Sequence, residues 1–290
     1  MDLRPDLQSR RDSTEYNECS AELADCYPGK SGMFSMKIME VGSSWLYVWL
    51  RNLTVYKRGW RTNVFPPFVQ PVSLLLIMGL GVGHYVGDIS GMPYLIYVTA
   101  GILVTESMLK AAFECTYSSF YRMKYQHTFD AIISTPVSPY EVAFGEVMWG
   151  ATKALISSTV LFVVMFLIGV LKSGTALLAF PVIALGGINF AAVSLMVSAR
   201  VKEFEQFNFF FAILFPLVFL CGTYFPLNRL PDPLEYVLWV VPLTHVVDII
   251  RFLVSGTPTP WLFLKILYLV VSTVVFVELS LRLLAKRLID

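Results

Sequence analysis

Long uninterrupted apolar runs constrain this chain more than any other feature. A helix needs about 20 mostly apolar residues to cross a hydrocarbon core about 30 Å thick, because lipid satisfies no backbone N–H or C=O. About six segments meet that length, near residues 64–86, 94–119, 140–171, 175–198, 206–224 and 261–284. The chain is 56% hydrophobic and 15% charged, whereas soluble domains carry about 25% charged residues. The expected fold is an all-α polytopic membrane protein with six transmembrane helices.

Lysine and arginine fix the orientation, because cytoplasmic connections carry their excess. Arg51, Lys57, Arg58 and Arg61 precede the first run, Arg122 and Lys124 follow the second, Arg200 and Lys202 follow the fourth, and Arg282, Lys286 and Arg287 close the chain. All fall on one side, so both termini are expected in the cytoplasm. Residues 1–40 mix acidic and basic residues without apolar runs and read as a disordered cytoplasmic tail. Residues 41–290 form the membrane domain. It opens at 41–61 with tryptophans among cations (Trp45, Trp49, Arg51, Lys57, Arg58, Trp60), the pattern of a helix lying in the headgroup layer.

Several activities find no support in the residues. A net charge of +1 with no concentrated basic face excludes nucleic acid as a partner. The cysteines Cys19, Cys26, Cys115 and Cys221 have neither metal-ligand nor disulfide spacing. His84, His127 and His245 are isolated, and neither H-E-x-x-H nor G-x-S-x-G occurs. Catalytic residues and metal ligands are therefore expected to be none. Gly29-Lys30-Ser31 lacks the glycine, preceding strand and following helix of a phosphate-binding loop.

The connection after the second run is amphipathic. Phe129, Ile132, Ile133 and Val137 recur at helical spacing, Asp130 sits in the first turn, and Pro136 stops a helix over 127–136. This short helix either lies flat on lipid or offers its apolar face to a soluble partner's groove. Ser138-Pro139-Tyr140-Glu141 then gives a serine cap, proline at the first helical position and glutamate at the third, starting the third span.

Charges inside the spans each require a partner or a wet cavity. Glu106, Lys110 and Glu114 form one stripe on the second span, while Glu146 and Lys153 share a face of the third with Gly150. They pair to knit the bundle, line a route for a hydrophilic headgroup, or snorkel to the interface. Beyond the fifth run, Phe225, Pro226, Arg229, Pro231, Pro233, Trp239 and Pro242 belong to a stretch too proline-rich for one helix and too apolar for a solvated loop. A re-entrant helical hairpin over 225–256 satisfies both conditions.

These features together resemble the integral-membrane subunit of an ABC-2 type exporter, over essentially all of residues 41–290. The segments WLYVWLRNLTVYKRGWRTNVFPPFVQPVSLLL, FECTYSSFYRMKYQHTFDAIISTPVS and GEVMWGATKA more narrowly resemble permeases that export rhizobial nodulation factors, which are lipo-chitooligosaccharides. The resemblance implies a bacterial inner-membrane homodimer working with two copies of a separately encoded ATPase, which alone holds ATP and Mg²⁺. It also implies that helix 127–136 is the coupling helix, with Phe129, Asp130, Ile132 and Ile133 at the ATPase contact. Export of another amphiphile, such as a drug or polysaccharide, and a membrane enzyme that modifies glycans through Glu106 or Glu146, are the alternatives.

Overall fold

The computed structural model describes residues 36–59, 69–89, 91–170, 174–227, 231–256 and 259–289. Trp60, Arg61, Arg229 and the tail before Met36, including Gly29-Lys30-Ser31, lie outside the described residues. The described chain is a helical bundle whose only sheet, among the described residues, is a two-residue antiparallel ladder of β1 (Asp88–Ile89) with β2 (Met92–Pro93).

Helix α1 (Trp45–Arg58) packs along α5 (Pro139–Leu167), burying Val48 and Asn52 while Tyr47 and Leu50 stay exposed. A glycine allows this approach: a Cβ at Gly145 would lie 2.8 Å from the Val48 Cβ. Helix α2 (Val69–Val86) contains a wide π-helical segment, Ile77–Val82, and leaves Leu76 and Ile77 exposed. Helix α3 (Tyr94–Lys124) is the core of the bundle, apolar and buried around most of its circumference, as a central helix must be. It too carries a π-helical segment, Glu114–Ser118. Helix α6 (Thr175–Ser198) places Gly187 against Ala151 and Ala154 of α5, so small residues set that crossing.

The start of α5 follows the expected cap. The Ser138 hydroxyl accepts the Tyr140 N–H at 3.2 Å, and the Glu141 carboxylate accepts the Ser138 N–H at 2.9 Å. The other Glu141 oxygen accepts the Ser44 N–H at 3.2 Å, so one side chain fastens the start of α1 to the start of α5.

Helix α4 (Thr128–Ile133) is shorter than the expected 127–136; residues 134–136 form a turn in which Ser134 and Thr135 bond back to the carbonyls of Ala131 and Ile132. Helix α7 (Phe204–Leu220) is also shorter than its expected span. Its 17 residues reach about 25 Å. Chain reversal begins at Gly222, whose φ of +78° suits glycine. Helices α8 (Asp232–Trp239) and α9 (Pro242–Ser255) form the proline-broken pair, bent by 82°, and α10 (Leu262–Ile289) completes the bundle. Among the described residues, five helices are long and apolar enough to cross a membrane, six if the bent pair counts as one.

Candidate functional site

Four ionic side chains from α3 and α5 meet at the centre of the bundle. Glu114, 3% exposed, accepts from Arg122 Nη1 at 2.9 Å, from the Trp149 indole at 2.9 Å and from Lys153 Nζ at 2.5 Å. Glu146, fully buried, accepts from Asn52 at 2.8 Å, from the Ser119 hydroxyl at 2.6 Å and from Arg122 Nη2. Every carboxylate oxygen here has a donor, which a buried charge requires.

Local helix geometry brings Arg122 to this centre. In regular α-helix, eight positions turn a side chain about 80° away; absorbing one residue in a π segment brings it within about 20° of the starting face. The segment Glu114–Ser118 lies between Glu114 and Arg122. The sequence reading treats Arg122 as a cytoplasmic flanking charge; it is instead the hub of the buried network, its side chain 13% exposed. Nothing in the sequence pattern marks Asn52, Ser119 and Trp149 as members of the network. Charge alternation detects carboxylates but gives no hint of neutral partners.

The network continues to α4. Arg51 Nη1 donates to Asn52 Oδ1 at 3.2 Å, and Arg51 Nη2 donates to the Thr128 hydroxyl at 3.4 Å, at the first residue of α4. Polar contacts thus run without a gap from α4 through Arg51, Asn52, Glu146, Arg122 and Glu114 to Lys153. Burial, then the positive charge of Arg122, lowers the Arg51 pKa, against the raising influence of Glu146. Burial, then the Glu114 carboxylate, raises that of the Tyr56 phenol.

A cleft opens over this network. One part, about 580 Å³, is lined by Arg51, Tyr56, Tyr121, Arg122, Trp149 and Phe204, among others. A second, about 230 Å³, shares Tyr56, Glu114, Tyr117, Ser118 and Lys153 with it and extends to Lys110, Phe113 and Ser157. The expected stripe of Glu106, Lys110 and Glu114 therefore divides. Glu114 joins Arg122 and Lys153, whereas Lys110 approaches Glu106 at 4.0 Å and Glu106 accepts from Gln70 at 3.4 Å.

The four residues expected to face an ATPase do not share one surface. Asp130 is exposed and bonded to the His127 ring at 2.9 Å. Ile132 and Ile133 are half-buried against the bundle. Phe129 is a correction: it is fully buried, so it anchors α4 to its own bundle and cannot supply contact area to a partner. A six-residue helix has one apolar side, and here the bundle takes it. The outward surface consists of His127, Asp130, Ala131, Ser134, Thr135 and Pro136.

At the other end, Phe225, Pro231 and Trp239 are exposed and Pro226 is half-buried. The anchor of this region lies elsewhere. The Gly222 carbonyl accepts from the Tyr97 hydroxyl at 3.0 Å and from Arg251 Nη2 at 2.7 Å, and the Arg251 guanidinium lies 3.7 Å from the centre of the Tyr97 ring. Lys265 pairs with Asp248 at 2.6 Å, tying α10 to α9. No group of three or more metal-ligating side chains occurs among the described residues.

Known proteins share this chain's sequence pattern. It is 35% identical over 248 residues, 85% of this chain and 95% of the relative, to Nodulation protein J of Rhizobium meliloti. It is 33% identical over 248 residues, 85% of this chain and 96% of the relative, to Nodulation protein J of Rhizobium leguminosarum bv. viciae. To the inner membrane transport permease YadH of Escherichia coli it is 22% identical over 217 residues, covering 71% of this chain and 80% of that protein. The sequence model of the ABC-2 type transporter family matches residues 43–254, from the start of α1 through nearly all of α9, and the chain belongs to that family as a membrane-spanning permease.

Proposed function

We propose that this chain is the transmembrane half of an ATP-driven exporter of the bacterial inner membrane that moves a lipo-oligosaccharide of the nodulation-factor kind. Two copies pair with two copies of a separate ATPase, which holds ATP and Mg²⁺, and both termini lie in the cytoplasm. The family works with such an ATPase, and the relatives named for nodulation support the cargo class.

The observation that carries the reading is the unbroken polar connection from Thr128 on α4 to Lys153 in the cleft. ATPase closure displaces α4. The anchor Phe129 and the bond from Arg51 to Thr128 carry that displacement to α1 and to the α3–α5 network. Paired buried charges exchange partners in discrete steps, because an intermediate would leave a charge uncompensated. The glycan follows the polar cleft while the acyl chain remains in lipid. Inverted vesicles holding both subunits should accumulate a labelled lipo-chitooligosaccharide only with hydrolysable ATP; accumulation without ATP, or none with it, removes the proposal.

A further inference from the structure

The smaller part of the cleft contains a cation whose ammonium makes no hydrogen bond among the described residues. Arg51, Lys110, Arg122 and Lys153 line the two parts of the cleft. Their carboxylate partners are Glu106, Glu114 and Glu146. Glu114 and Glu146 are each saturated by three donors, and Lys153 is held at 2.5 Å. Arg51 donates to Asn52 and Thr128, which leaves Lys110 as the cleft-lining cation without a hydrogen bond among the described residues. Among the described residues its nearest carboxylate oxygen is 4.0 Å away, beyond hydrogen-bond distance, and its side chain is 22% exposed. The Ser157 hydroxyl, in a residue 2% exposed, lines the same cavity without a hydrogen-bond partner among the described residues. Phe113 and Tyr117 flank the space. A loosely paired ammonium in a low-dielectric setting keeps donors free for a second anion.

We propose that this pocket is an anion subsite, in which Lys110 and Ser157 receive a phosphate, sulfate or carboxylate group carried by an amphiphile. The inference rests on the reading of the cleft as a cargo route and adds that Lys110 selects for one negative charge. The same group could arrive on a phospholipid headgroup or on the glycan of the cargo, and the test separates them.

The permease–ATPase complex, in phosphatidylcholine nanodiscs, is titrated with an acylated chitotetraose bearing one sulfate and with its unsulfated twin. The sulfated form should bind about tenfold tighter, the worth of one charge-assisted bond. Lys110→Gln should erase the preference and Lys110→Arg should retain it. Displacement of the sulfated probe by phosphatidylglycerol in the wild type but not in Lys110→Gln supports the subsite with lipid as its occupant; absence of displacement supports it with cargo as its occupant. Equal binding of both forms by the wild type, or a preference that survives Lys110→Gln, overturns the subsite while leaving the export reading intact. If neither probe binds, the cargo reading fails, and native mass spectrometry of retained phosphatidylglycerol decides the subsite by whether retention needs Lys110. The wild-type comparison requires no variant, so a Lys110→Gln that fails to assemble does not spare the proposal.

Discussion

Arg122 Nη1 lies 2.9 Å from Glu114 Oε1, eight positions back along the same helix, and its other terminal nitrogen binds Glu146. Removing that guanidinium strands two buried carboxylates. Arg122→Met should cost about 3–5 kcal/mol, read as a lower melting temperature and reduced yield in detergent. Arg122→Lys should recover part of the loss, since an ammonium restores the charge but not the two-pronged geometry.

On α4 the inward and outward sides should behave oppositely. Phe129→Ala should destabilise the permease by about 3–5 kcal/mol. Ala131→Arg and Ser134→Arg, both on the exposed side, should shift stability by no more than about 0.5 kcal/mol. Those two should nevertheless prevent co-purification with the ATPase. Unimpaired co-purification of both arginine variants would place the docking surface elsewhere.

The bond from Arg51 to Thr128 is the only direct side-chain hydrogen bond described between α1 and α4 among the described residues. Arg51→Gln should leave the ATPase bound while ATP-dependent export falls about fivefold or more, the size of a typical coupling energy. Vesicle uptake and pull-down on the same preparation measure both quantities.

At the end of the bundle away from α4, backbone rather than charge sets the tolerance. A Cβ at Gly101 would lie 2.3 Å from the Thr223 carbonyl oxygen and 2.9 Å from its Cα. Gly101→Ala should cost at least about 1–3 kcal/mol and expose the 221–227 turn to protease. Gly81→Ala, where nothing lies within 4 Å, is the matched control.

The family, the helical class and the α5 cap were legible because each rests on a local or compositional signal: apolar run length, quoted motifs, and Ser138-Pro139-Tyr140-Glu141. The ionic residues inside the spans were legible too, as costs demanding partners. Their pairing was not. It depends on an extra residue absorbed near Glu114, invisible to a period of 3.6, and on the neutral donors Asn52, Ser119 and Trp149 from neighbouring elements. The inward turn of Phe129 escaped for a related reason. Amphipathic spacing finds an apolar side without saying whether lipid, a partner or the chain's own bundle covers it.

Glu141 holds the bases of α1 and α5 together. A rod of 29 residues is about 43 Å long, so a pivot of about 5° at that clasp swings its far tip by about 4 Å. Gearing of this kind lets a modest displacement at one end of the rod become a stroke large enough to part side chains at the other.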